Sequence, residues 1–240
     1  MLRAGRRWKR PEYAEEGRRI ARAIWEEETA EVDGKRHVIA GNWARGPHAI
    51  ALNPSYFSPA AYRLFAEEEP EHDWLSLLPT GYDDLEGVSA LVKDRSGILL
   101  PPDWGQLAIT DGAYSAFLGK AGPLDYSFDA FRVFWRIADD ALHSRDPRAT
   151  AYLSKIDAFD REWMERSRVC ALYFFEQDRC DFDMGALAGP VSYWLMQDPD
   201  QADEILKVFA FAPGNIRISE HASFYQKSWY WFMLWQWANA

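Results

Sequence analysis

From about residue 11 to the C-terminus, segments whose apolar residues recur at helical spacing alternate with loops rich in Gly, Pro and Asn. This alternation constrains the fold more than any single motif does. A helix with one apolar stripe must bury it against another element, and short connections make consecutive helices antiparallel neighbours. Helices are predicted over 11–31, 59–69, 126–143, 148–166, 183–197, 200–208 and 221–238, with a helix or helix pair over 71–94. In the first, Pro11 suits the opening turn, and Tyr13, Gly17, Ile20 and Ile24 share one face. Ser58 as cap and Pro59 in the first turn open the second. Asp33-Gly34 reads as a turn before a short strand, 42–56 and 96–107 as loops, and 169–175 as a strand or an extended link. The expected class is all-α, built of stacked helical hairpins. No Gly/Ser or Pro-rich linker divides residues 1–240, and that length suffices for one sizeable core, so a single domain is expected.

The formal net charge of -10 disfavours a nucleic-acid partner, because phosphate binding wants a basic surface. The one basic run, "RAGRRWKR" at 3–10, reads as a solvated terminus. The first residues lack the apolar stretch of a secretory leader, and no run of about 18 apolar residues suggests a membrane span. The closing "SWYWFMLWQWANA" is too short to span and reads as a core helix. Cys170 and Cys180 do not have metal-site spacing and read as buried or idle thiols, their pairing left open. His37, His48, His72, His143 and His221 are scattered, so no metal is expected, and no glycine loop suited to phosphate appears.

The aromatic content stands out, with 12 Trp, 11 Tyr and 14 Phe. Such side chains bury large areas, so a heavily packed core accounts for them. A sugar-binding cleft is the alternative, since flat rings stack on the C–H faces of pyranoses. In "DYSFDAFRVFWRIADD", residues 125–140, Asp129 and Arg132 share a helix face three residues apart amid apolar neighbours. Taken alone, Asp129 caps its helix and Arg132 pairs with it.

Four segments occur in order: "LNPSYFSPAAYRLFA" (52–66), "SGILLPPDW" (96–104), the 125–140 stretch and "FYQKSWYWFMLW" (224–235). Together they resemble glycoside hydrolase family 8, the bacterial endoglucanase, chitosanase and xylanase family, and most nearly its cellulose-synthesis-associated cellulases. The resemblance implies an (α/α)6 barrel of six helical hairpins and hydrolysis of β-1,4-linked polysaccharide with inversion, without a cofactor. Inversion needs two carboxyl groups about 6.5–9.5 Å apart, one acid and one base. By resemblance, Asp129 is the general base, Arg132 orients it and keeps it ionised, and Tyr56 positions the attacking water. Asn53, with Ser55, shapes the Asn-Pro-Ser-Tyr turn and counts among the substrate-binding candidates. Asp103 and Trp104 form the cleft, and Trp43 and Trp104 are the candidate stacking rings. Trp229, Trp231, Trp235 and Trp237 read as core. Relatives work in the periplasm or outside the cell.

The sequence departs from the pattern at the acid. The family's Ser-Glu-Gly-type motif is absent. "EEGRR" at 15–19 lies on an exposed-looking helix, and Glu86-Gly87 comes in the wrong order. The chain therefore resembles a barrel incomplete at its N-terminus, without its first third. Apolar faces left bare in such a toroid lead us to expect oligomerisation or aggregation. A binding protein that holds β-glucan without cleaving it is the alternative to a glucanase.

Overall fold

Helices dominate, as the periodicity predicts, and short strands pair between them. A computed structural model of the chain describes residues 1–117, 124–210 and 222–240. The helices are α1 (Leu2–Trp8), α2 (Pro11–Glu27), α3 (Pro59–Glu68), α4 (Leu77–Ser96), α5 (Phe131–Asp139), α6 (Pro147–Leu153), α7 (Ala158–Arg166), α8 (Ala188–Gln197), α9 (Pro199–Ile205) and α10 (Phe224–Asn239). The strands are β1 (Thr29–Val32), β2 (Lys35–Val38), β3 (Ala49–Leu52), β4 (Gly105–Ala108), β5 (Tyr114–Ala116), β6 (Leu172–Phe174) and β7 (Arg179–Asp181). They pair antiparallel as β1-β2, β3-β4-β5 and β6-β7.

Several boundaries differ from the sequence reading. The first helix stops at Glu27 because Thr29–Val32 pairs with Lys35–Val38 across a turn, where Asp33 and Gly34 take positive φ of 51° and 70°. The loops at 42–56 and 96–107 contain β3 and the start of β4, which pair with each other. The basic terminus is not free in solution. It forms α1, whose Leu2 lies against Gly17 of α2, while Arg6 pairs with Glu67 at 3.0 Å and with Glu68. Ile20, expected on one face with Gly17, is exposed, and Ala21 is buried beside Gly17 in its stead. Ser58 precedes α3 but makes no side-chain cap.

The core centres on α5. Its Phe131, Val133, Phe134, Ile137 and Ala138 are buried, each large side chain contributing about 1.5–3 kcal/mol. Helix α8 crosses closely because Gly189 has no side chain. A Cβ there would lie 2.3 Å from the Tyr126 hydroxyl and 3.1 Å from Phe131 Cβ. A polar knot ties four segments beside this pair. Arg63 of α3 donates to Asp140 at 3.0 Å and to Asp146 at 2.7 Å, Tyr82 of α4 donates to Asp140 at 2.7 Å, and Arg148 of α6 donates twice to Asp146. Asp140 is fully buried, and these donors satisfy it.

Cys170 and Cys180 are not idle thiols. They form a disulfide across the β6–β7 hairpin, with a Cα separation of 5.4 Å. A cluster of Glu162, Cys170 and Cys180 has metal-ligand proximity, but the disulfide occupies both sulfurs. The last helix begins at Phe224 with a capping box from Ser223 and Gln226, and the predicted start at His221 lies outside the described residues. Trp231 and Trp235 of this helix are exposed, contrary to the core reading, whereas Trp229 and Trp237 are half-buried. Among the described residues, no helix is long and apolar enough to cross a membrane.

Candidate active site

The predicted helix from 126 starts later than its periodicity suggests, and the delay creates the site. Residues 127–130 form a turn ahead of α5, held from outside by Asp103. One Asp103 oxygen accepts the backbone N–H groups of Ser127 (3.0 Å), Asp129 (3.1 Å) and Ala130 (2.7 Å). The other accepts the Ser127 hydroxyl. These are the orphan donors of a helix start, and a carboxylate is the strongest acceptor for them. Burial pushes the Asp103 carboxyl above its ordinary value, and the Ser127 hydroxyl and the backbone donors oppose that shift.

The turn leaves Asp129 partly open to solvent beside Arg132. Arg132 donates through Nη2 to the Asp129 carboxylate and through Nε to the Asp129 carbonyl at 3.1 Å. Its guanidinium carbon sits 5.8 Å from the centre of the Tyr56 ring. Tyr56 ends the Pro54–Tyr56 turn, where the Asn53 side chain accepts the Ser55 N–H at 3.1 Å and the Ser55 hydroxyl at 2.6 Å. Asp129, Arg132 and Tyr56 are thus brought together, as the resemblance implies. Asn53 is buried, and its side-chain oxygen shapes the turn. Asp103 likewise faces the backbone of the 127–130 turn rather than open space.

Trp43 and Trp104 do meet. Their ring centres are 5.9 Å apart, and Phe117 completes a triangle at 6.2 and 5.8 Å. Trp43 is 55% exposed, so the platform has an open face. Beneath this region the buried His37 lies 3.0 Å from Asp84, which also accepts the Tyr114 hydroxyl at 2.9 Å, tying β2, α4 and β5 together.

Two residues at the site escaped the sequence reading. Phe117 follows β5 and carried no motif. Tyr225 lies in the quoted 224–235 segment, which gave no reason to choose it. Its hydroxyl donates to the Phe128 carbonyl, bracing the turn from α10. Burial, with the nearby Asp129 and Asp103 charges and against Arg132, pushes it up to about 12.

The second carboxyl group is a different matter. Glu15 and Glu16 pair with Arg18 and Arg19 on the outer face of α2, and Glu86 pairs with Lys155 at 2.7 Å. Asp103, the other carboxylate at the turn, has both oxygens committed to it.

The family model for glycosyl hydrolases family 8 matches residues 1–164. Endoglucanase A of Acetivibrio thermocellus is 32% identical over 107 residues, which are 45% of this chain and 20% of that protein. Endo-β-1,4-glucanase CMCax from Acetobacter xylinum superposes with a TM-score of 0.70 at 17% identity, over 99% of this chain and 67% of the other. A cold-adapted family 8 xylanase gives a TM-score of 0.60 at 20% identity, over 85% of this chain and 52% of the other. These structural likenesses establish an all-α fold of the (α/α)6 barrel type. The match to the curated relative spans a fifth of its length.

Proposed function

Since the chain belongs to glycosyl hydrolases family 8, we propose that it acts on β-1,4-linked glucan as an inverting endoglucanase, with Asp129 as general base. The observation that carries this reading is the contact set in which Arg132 of α5 bonds Asp129 of the preceding turn and lies over the ring of Tyr56 from the Pro54–Tyr56 turn. An inverting base must be ionised and must face a water that attacks the anomeric carbon. Arg132 holds Asp129 by one donor to its carboxylate and one to its backbone carbonyl, and the half-open Tyr56 offers a hydroxyl to hold the water. The Trp43, Trp104 and Phe117 rings supply apolar surface for a pyranose. Chitosan and xylan are the alternative substrates.

The second reading is a β-glucan-binding protein without hydrolysis. The observation favouring it is that Glu15, Glu16, Glu86 and Asp103 are each engaged by other groups. None is left to protonate a leaving oxygen. The test is reducing-sugar release from carboxymethyl cellulose by the chain and by Asp129→Asn. Release that disappears in the variant supports the hydrolase. Absence of release, with saturable retention on cellulose, supports the binding protein. Absence of both sinks both readings.

A further inference from the structure

Arg136 lies one helical turn beyond Arg132 on α5. Arg132 is committed to Asp129. Arg136 is committed to nothing: its guanidinium makes no hydrogen bond and no ion pair among the described residues, and its Nε is shut off from solvent. Burial pulls this group below its ordinary value, with Arg132 acting in the same sense and Tyr62, Asp139 and Tyr56 against it. An arginine stays charged all the same. A charged donor withdrawn from water without an acceptor is costly, and an anion brought to it removes that cost.

Arg136 opens on a cavity of about 190 Å³ between α1, α3 and α5. Arg3 of α1 stands at the same cavity, exposed, and it too makes no hydrogen bond or ion pair among the described residues. Helix α3 turns its N-terminus to this space through Ser58, Ala60 and Ala61. The Ser58 side chain makes no cap, so the N–H of Ala60, in the first turn, gains no acceptor from it. The positive end of the helix dipole adds to the two guanidiniums.

One carboxylate lines the cavity, that of Asp139. It lies 3.3 Å from Nδ1 of His143 and pairs with neither guanidinium. Burial pushes its carboxyl above the ordinary value, and His143, Arg3 and Arg136 oppose that shift. The adjacent Asp140 is taken up by Arg63 and Tyr82. Two guanidiniums and a helix start thus face one carboxylate, which a histidine already partners. The rest of the wall selects the kind of anion. Trp135, Leu64, Ala60 and Ala61 are apolar. Phosphate presents polar oxygens on every side and would desolvate them against these groups, whereas a carboxylate is polar at one end only. The planar guanidinium matches a carboxylate with two parallel bonds.

We propose that this cavity binds a small aliphatic carboxylate, its head on Arg136 and the start of α3, its hydrocarbon end against Trp135 and Leu64. None of the residues assigned to hydrolysis lines the cavity, so the site stands whether or not the chain cleaves glucan.

The experiment is a saturation-transfer difference titration of the full chain with sodium propionate at low ionic strength, read on the methyl protons. Inorganic phosphate and sodium chloride, at matched ionic strength, are the competitors. The expected result is saturable propionate binding that phosphate displaces weakly and chloride does not displace. Arg136→Gln should weaken it at least about tenfold and Arg3→Gln about threefold, as loss of charge-assisted hydrogen bonds does. Arg3 is exposed, so its variant keeps the test decisive if Arg136→Gln fails to fold. Propionate binding that does not saturate, displacement by chloride, tighter binding of phosphate than of propionate, or wild-type affinity in a folded variant overturns the proposal.

Discussion

Asp103 holds Asp129 by its backbone: a carboxylate oxygen of the first accepts the N–H of the second at 3.1 Å, together with the N–H groups of Ser127 and Ala130. The candidate base is therefore positioned by a residue 26 places earlier in the chain. Asp103→Ala leaves these donors without their acceptor and should destabilise the protein by about 1–2 kcal/mol, as loss of a helix cap does. Asp103→Asn keeps the acceptor oxygen and should cost less. Urea unfolding of the two variants checks the order, and equal losses would count against the holding role.

Arg132 makes two donations to Asp129 and lies over the Tyr56 ring. A lysine keeps the charge but lacks the planar fork. If the chain hydrolyses glucan, Arg132→Lys should lower kcat by at least about tenfold while the melting temperature moves little. Initial rates on a soluble cellooligosaccharide, set beside a thermal melt, test this. An unchanged kcat would remove Arg132 from the machinery.

Trp43 is the open member of the three-ring platform, so Trp43→Ala should change stability by no more than about 0.5 kcal/mol. Its loss should weaken glucan binding, because a stacking surface has gone. Affinity electrophoresis in hydroxyethyl cellulose reads this directly. Wild-type retardation of the variant would exclude Trp43 as a sugar platform.

The Arg148 and Arg63 guanidiniums hold the Asp146 carboxyl down to about 2, below its ordinary value near 3.8. A depressed carboxylate adds stability that is complete above its unfolded value and lost as pH falls through the folded one. Stability from this group should decline between about pH 4 and about pH 2. Asp103, shifted upward, contributes in the opposite sense. Asp146→Asn should cost about 3 kcal/mol at pH 7, where it breaks a buried ion network, and show a shallower acid decline. Denaturant midpoints across that range provide the check.

Gly189 is where α8 approaches Tyr126 and Phe131 most tightly. Gly189→Ala drives a methyl group into the Tyr126 hydroxyl and should cost about 2 kcal/mol by overpacking. Tyr126 pairs by backbone with Tyr173 just before the turn of Asp129, so the strain is delivered close to the site. A variant as stable as wild type in urea would show that α8 can move aside.

The sequence made the helices legible because an apolar stripe at 3.6-residue spacing has one stable solution. It also made legible the grouping of Asp129, Arg132 and Tyr56, through two short motifs. What it hid was long-range. Nothing in the spacing of Thr29–Val32 announces a strand, since its partner decides it. The hold of Asp103 on the 127–130 turn is hidden as well, because a side chain that caps a distant turn leaves no local trace. Phe117 and Tyr225 reach the site only through the fold. The apolar run at the C-terminus was read as core, yet α10 exposes Trp231 and Trp235, because hydrophobicity on every face does not say which face finds a neighbour.

The Cys170–Cys180 disulfide has a consequence at the bench. It closes a loop of ten residues' separation, and a loop that short stabilises a fold by no more than about 3 kcal/mol. Its hairpin is also joined by backbone to the segment leading into the Asp129 turn, through Tyr126 and Tyr173. Material purified with reductant and material refolded under oxidation are two different samples, with different restraint behind the same turn. A melting curve or a rate quoted without the thiol state of the preparation would describe a mixture.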